Sequence, residues 1–261
     1  MEQTETFLRT EQKYELTRKQ AEYFQEAAQA HLLPDVYPEY DLNTIYFDTA
    51  DSRMIMHCLD HPLYKEKLRM RAYGNPDVNS PVFLEIKKKF RENGQKRRIQ
   101  LSYAEACRVM EEGRLDETES QISREIQYVC DQQKLLPKVF IAYHSKAYAG
   151  KDEADVRITF DTNIRYRIND LSMSCNGKEK VISGEDSVLM EVKLSERYPL
   201  WLSQILSEMH LHRESFSKYG TIYAALLLQN KKEQIHRAYR AYEEAGYPAA
   251  QKENTACLLR Y

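Results

Sequence analysis

The sequence predicts an α+β fold in which about eight antiparallel strands close into a β-barrel with α-helices packed around its outside. Three observations point there. Apolar and polar residues alternate with period two in segment after segment. Turns or single helical patterns separate those segments, and eight or so strands so connected are enough to close a barrel. The polar face of several segments is charged along its length, and closing the sheet gathers such faces around one cavity.

Strands are expected at about 7–16, 42–48, 64–73, 82–90, 95–102, 138–148, 156–167 and 187–194. Thr17 is placed to cap a helix running to about His31, Ser102 one to about Glu112, and Ser120 one to about Gln132. Pro199 to Leu211 and Lys218 to Tyr242 carry apolar residues three and four apart, the helical spacing. Gly74 to Pro81 and Asn169 to Asp186 read as loops. One domain is expected over residues 1–229, with 230–261 as a tail, helical at first and mobile beyond. His57 and His61, although four apart, are followed by Pro62 and read as a short turn rather than a metal pair on one helix face.

With 42% hydrophobic and 30% charged residues among 261, the chain has the make-up of a soluble globular protein. No stretch approaches the roughly 18 uninterrupted apolar residues of a membrane span, and Met1 to Thr10 has no signal-like apolar core. Cys58, Cys107, Cys130, Cys175 and Cys257 are scattered and never form C-x-x-C, so neither a disulfide framework nor a thiolate metal site is expected. A reducing, cytoplasmic setting follows as the expectation. The net charge of −2 predicts no general attraction to nucleic acid. Yet 11 Lys or Arg residues against 4 acidic ones fall between Tyr64 and Arg98, so positive charge is concentrated.

Side chains two apart share one face of a strand, which puts Lys65, Lys67, Arg69 and Arg71 in a single row. Phe83, Glu85, Lys87 and Lys89 likewise oppose Val82, Leu84 and Ile86. Arg9, Glu11, Lys13 and Glu15 share a face; Arg157, Thr159 and Asp161 oppose Val156, Ile158 and Phe160; Glu191 and Lys193 oppose Val188, Met190, Val192 and Leu194. One such strand is equally well explained by a solvated outer face. Recurrence over several strands favours one shared charged cavity, with the apolar rows turned outward to the helices. Buried cations without partners are costly, so the cavity requires a multiply charged anion, and guanidinium and ammonium groups match a chain of phosphates. Glu11, Glu85 and Glu191 either pair with neighbouring lysines or hold a hard divalent cation that bridges to phosphate oxygens.

Seven short motifs in order then carry a family resemblance: R-x-E-x-K-Y (Arg9 to Tyr14), Y-F-D-T (Tyr46 to Thr49), K-L-R-M-R-x-Y-G (Lys67 to Gly74), F-L-E-I-K (Phe83 to Lys87), R-I-T-F-D (Arg157 to Asp161), L-M-E-V-K (Leu189 to Lys193) and S-K-Y-G (Ser217 to Gly220). Over about residues 7–225 the chain resembles the vacuolar transporter chaperone (VTC) domain family of the triphosphate tunnel metalloenzyme superfamily. The resemblance implies a tunnel fold and a polyphosphate polymerase that transfers the ATP γ-phosphate to a growing inorganic polyphosphate chain, releasing ADP, with Mn²⁺ or Mg²⁺ as cofactor. By motif, Lys13, Arg69, Arg71, Lys87, Arg157, Lys193 and Lys218 would contact phosphates. Lys67, Lys96, Arg97 and Tyr219 would line the same site, and Glu191, with Glu85 and Glu11 as further candidates, would bind the metal. The chain looks like a stand-alone bacterial form, with ATP and polyphosphate as partners and no membrane span. Where the family carries Y-x-R, this chain has Tyr143, His144 and Ser145, so one expected arginine is absent. A tunnel triphosphatase acting on inorganic or nucleoside triphosphate, and a non-catalytic polyphosphate or nucleotide binding module, are the alternatives.

Overall fold

Ten strands form one antiparallel sheet in the computed structural model, which describes residues 3–7, 10–91, 93–115, 120–174, 177–182, 184–195 and 197–244. The strands are β1 (Gln3–Phe7), β2 (Thr10–Thr17), β3 (Leu32–Asp48), β4 (Tyr64–Tyr73), β5 (Pro81–Phe90), β6 (Asn93–Ser102), β7 (Leu136–Gly150), β8 (Arg157–Arg167), β9 (Lys180–Val181) and β10 (Ser187–Leu194). Between them lie the helices α1 (Arg18–Ala27), α2 (Arg53–Leu59), α3 (Tyr103–Glu112), α4 (Gln121–Gln133) and α5 (Leu200–Glu208), with α6 (Lys218–Glu244) following. Arg9, Cys175, Cys257 and the end of the expected tail lie outside the described residues, and Cys58, Cys107 and Cys130 are free thiols.

Strand order is β1-β6-β5-β4-β3-β7-β8-β10-β2, with β9 paired to β8. The expected hydrogen-bonded closure does not form: among the described strands β1 pairs only with β6 and β2 only with β10, and the free side of β2 makes one further bridge, from Lys13 to Glu214. Among the described residues, 3–7 serve one edge of the sheet and 10–17 the other, and no hydrogen-bonded ladder joins the two edges directly. Curvature nonetheless brings distant strands face to face, because Lys87 of β5 reaches Glu11 of β2 at 3.4 Å across the concave side. The N-terminal half of β3 was not legible as strand because it contains Pro34 and Pro38. It pairs with β7 alone, and the register shift between Pro34 and Glu39 absorbs residues that cannot donate to a ladder.

Apolar rows face outward, as expected. Leu68, Met70, Val82, Leu84 and Ile86 pack with Ala106 and Val109 of α3 and Ile122 and Ile126 of α4. Tyr14, Ile158, Phe160, Met190 and Val192 pack with Phe24 of α1 and with Trp201, Leu202 and Ile205 of α5. Each fully buried side chain of this size contributes about 1.5–3 kcal/mol, so helices are held to the convex side and polar rows are left to the concave one. Local signals set the helix starts. Thr17 and Gln20 form a capping box on α1, Ser102 and Glu105 another on α3, and Ser120 accepts from the Ser123 amide on α4. Among the described residues, no helix is long and apolar enough to cross a membrane.

The chain divides into two units, residues 1–220 and 221–261. In the second, α6 is exposed over residues 227–234 and Gln229 donates to Glu233 one turn on at 3.0 Å.

Asp48 shows why the Y-F-D-T motif matters structurally. It is fully buried and accepts from the amides of Thr49 (2.7 Å), Met54 (2.9 Å) and Ile55 (2.9 Å) and from the Tyr219 hydroxyl (3.1 Å). It therefore caps the start of α2 and fastens Tyr219 to β3. Asp48→Ala leaves these donors buried without an acceptor, and a loss of about 3 kcal/mol is expected in urea unfolding. Wild-type stability in that variant would refute the assignment.

Candidate functional site

Two charged groups occupy the concave face. In the first, ladder register sets Glu85 of β5 beside Arg69 of β4 and Arg98 of β6. The Glu85 carboxylate is 0% exposed; Arg69 Nε lies 2.7 Å and Arg71 Nε 3.9 Å from its Oε2, and Arg98 Nη1 lies 3.8 Å from its Oε1. Burial pushes the Glu85 carboxyl up, but Arg69, Arg71 and Lys96 outweigh it and hold the group at about 2. Arg69 Nη1 also donates to Tyr46 Oη at 3.1 Å, and the Arg98 guanidinium lies 4.4 Å over the Phe83 ring. One carboxylate serves several cations here. Among the described residues Arg71 Nε is buried and makes no hydrogen bond, and Arg71 Nη2 is 3.5 Å from the Tyr143 hydroxyl. Lys67 donates to Ser217 Oγ at 3.0 Å, and burial lowers its pKa.

The second group joins β2, β8 and β10 to the first residue of α6. Lys13 Nζ lies 3.4 Å from Glu11 and 3.4 Å from Glu191, and it donates to the Phe216 carbonyl at 3.1 Å. Lys193 lies 3.4 Å from Glu191, while Lys218 donates to Glu191 at 3.0 Å and to Asp161 at 2.6 Å. The other Asp161 oxygen accepts from Ser145 Oγ at 2.7 Å. Burial works against each charge, yet Lys13, Lys218 and Lys193 hold Glu191 well below the usual carboxylate range. Asp161 and Glu191 in turn raise Lys218. Glu11 falls to about 2 because Lys87, Lys13 and Lys193 outweigh its burial and the nearby Glu191.

Most of the sequence-predicted residues therefore meet: Lys13, Lys67, Arg69, Arg71, Lys87, Lys193, Lys218, Glu11, Glu85 and Glu191 share the concave face. Lys96 joins them, opposite Lys87 in register. Arg157 sits at the rim, held by Asp35 at 2.6 Å and near the Tyr40 hydroxyl at 3.5 Å. Arg97 does not belong. It donates at 2.8 Å to Glu125 of α4, which Lys88 also binds, because the strand alternation that turns Lys96 inward turns its neighbour outward. Tyr219 forms a wall rather than presenting its hydroxyl: the ring stacks on Tyr46 with centroids 5.2 Å apart, and the hydroxyl is bonded to Asp48. The expected carboxylate set is split, with Glu11 and Glu191 converging on Lys13 and Glu85 lying among arginines. Among the described residues no three His, Cys, Asp or Glu side chains gather as a metal site. α2 ends at Leu59 and His61 has φ 51°, so His57 and His61 share no helix face.

Arg98 is the site residue that sequence reasoning missed, and Asp161, Tyr46 and Ser217, which stand in the motifs, had no role assigned to them. The spacing signal for Arg98, two beyond Lys96, was present. Ser217 opens the S-K-Y-G motif, but its contact with Lys67 depends on the chain returning from beyond α5.

Glu85→Gln removes counter-charge from buried guanidiniums and is expected to lower stability by about 3 kcal/mol at neutral pH. Because the folded carboxyl is depressed to about 2, its contribution is present above the unfolded value of 4.5 and lost as pH falls toward 2. The deficit of the variant therefore shrinks as the medium is acidified below 4.5. Urea titrations at neutral and acidic pH check both points; equal stability at neutral pH refutes them.

Comparison with known proteins finds the same fold and a family. A candidate adenylate cyclase from Bacillus halodurans matches with a TM-score of 0.52 at 12% identity, covering 82% of this chain and 95% of its own. A candidate adenylyl cyclase from Hippeastrum, whose dominant activity is that of a triphosphatase, matches with a TM-score of 0.50 at 17% identity, covering 83% and 96%. At such identities the likeness is one of fold. A search of curated proteins finds no match. The VTC domain model matches residues 8–227, a span that contains both charged groups, and the chain belongs to the VTC domain family.

Proposed function

We propose that the chain is a polyphosphate polymerase that transfers the γ-phosphate of ATP to the end of an inorganic polyphosphate chain and releases ADP. The observation that carries this reading is the concave array itself, where, among the described residues, Lys and Arg outnumber carboxylates and the buried Arg71 Nε makes no hydrogen bond. Phosphate oxygens satisfy such donors. VTC membership supports the same substrate class.

In the transfer, an oxygen of the acceptor phosphate bonds to the γ-phosphorus as the bond from that phosphorus to the β-bridging oxygen breaks. The electron pair leaves with ADP. No side-chain nucleophile is required, so catalysis consists of alignment and charge stabilisation. Arg69 and Arg71, fixed by Glu85, hold phosphate oxygens in the first group; Lys13, Lys193 and Lys218, fixed by Glu191 and Asp161, do so in the second. Glu191 and Glu11 suit Mg²⁺ or Mn²⁺, since they are hard oxygen donors already converging on one cation, Lys13 Nζ, and such ions need only one or two carboxylates besides substrate oxygens. When bound, the ion neutralises charge on phosphate oxygens.

A triphosphatase is the second reading. Ser145 favours it: where the family pattern has arginine, this side chain serves Asp161 and offers no charge to phosphate. The fold neighbour with dominant triphosphatase activity shows that the architecture supports hydrolysis.

Incubation with ATP and Mn²⁺, followed by gel separation of phosphate chains, decides between them. Long chains with ADP are expected, and orthophosphate alone would establish the hydrolytic reading. Arg71→Ala is expected to lose about 100-fold or more in turnover while keeping its fold, checked by circular dichroism alongside the assay. Full synthesis by that variant would overturn the assignment.

A further inference from the structure

We propose that Tyr46 contacts the phosphate chain directly: its hydroxyl, set among cations, ionises in mildly alkaline solution when no chain is bound, and takes up a solvent proton to become a hydrogen-bond donor when one binds. The proposal deepens the phosphate-chain reading of the concave face and rests on it.

Geometry supplies the main argument. Tyr46 lies opposite Arg69 in the β3–β4 ladder, and its Oη accepts from Arg69 Nη1 at 3.1 Å. The ring is fixed by stacking on Tyr219. The groups that act on it are Lys67, Arg69 and Arg71 from β4 and Lys13 from β2, while Tyr143 of β7 and Glu85 of β5 act on Arg69 and Arg71. Cys58 of α2 acts on Lys67. The surroundings of the phenol oxygen are thus dominated by cations, and the carboxylate beside Arg69 is Glu85, already bound by that arginine. Burial pushes the phenol pKa up, but Arg69, Lys67 and Arg71 prevail and bring it from 10 to about 7.

An arriving phosphate supplies the same negative charge to the same cations and repels a phenolate beside it. Protonation removes the repulsion. The oxygen continues to accept from Arg69, and the new O–H is free to donate to a phosphate oxygen. Binding is then linked to uptake of one proton above the titration point of the empty site.

The test uses the full chain in metal-free buffer with inorganic tripolyphosphate. Calorimetric titrations at about pH 8, in two buffers of different ionisation heat, count protons for wild type and for Tyr46→Phe, which keeps the stacked ring. Wild type is expected to take up close to one proton more than the variant, and its tyrosinate absorbance to fall as ligand is added. Its affinity relative to Tyr46→Phe is expected to drop about tenfold per pH unit above about 7. Equal proton uptake with unchanged absorbance, while both proteins bind, overturns the role of Tyr46 and leaves the site reading standing. Failure of both proteins to bind tripolyphosphate overturns the site reading and the role of Tyr46 with it.

Discussion

Charge neutralisation inside a curved sheet is the constraint on which the rest of this molecule depends. Cations from β2, β4, β5, β6, β8, β10 and the start of α6 share one face, and their mutual repulsion is held in check by Glu11, Glu85, Asp161 and Glu191. Each of these carboxylates touches at least one cation, and Glu191 contacts Lys13, Lys193 and Lys218. Such sharing is economical in residues and costly in solvation, since every member is removed from water. The apolar contacts that hold helices to the convex side must offset that cost.

The two groups differ in kind. Around Glu85 the partners are guanidiniums, planar and permanently charged, which suit bidentate grips on phosphate oxygens. Around Glu191 they are ammoniums, compact and movable, beside a second carboxylate that can share a metal ion. A chain of phosphates lying across both would meet rigid donors at one end and adaptable ones at the other. Tyr46 belongs to the guanidinium side, where an extra anion relieves the shortage of carboxylates.

Alternation made most of this legible in sequence. Wherever a strand kept strict period two, as in β4, β5 and β10, the inward row followed directly from residue spacing. Reasoning faltered where alternation carried no face label: Arg97 and Arg98 are adjacent cations, and only the sheet decides which turns in. The helix caps at Thr17, Ser102 and Ser120 were readable because side-chain capping is local chemistry. Closure was not readable, because which edges the N-terminal residues pair with depends on long-range contacts that no local spacing encodes. Nor was Asp161 singled out, since an acid on a basic face gains meaning only once Lys218 and Ser145 are seen to bond it. The prolines of β3 hid a long strand by the ordinary rule against proline in sheets, which a one-sided pairing escapes.

Lys218 comes from the last stretch of the first unit, whereas Asp161 and Glu191, which it bridges, come earlier. During synthesis the strands β8 and β10 therefore emerge before the cation that binds both of their acids. Ser217 and Tyr219 complete the contacts of Lys67 and Asp48 at the same late moment. These contacts can form only once residues 217–219 have left the ribosome, so the binding face cannot be complete before most of the chain is made.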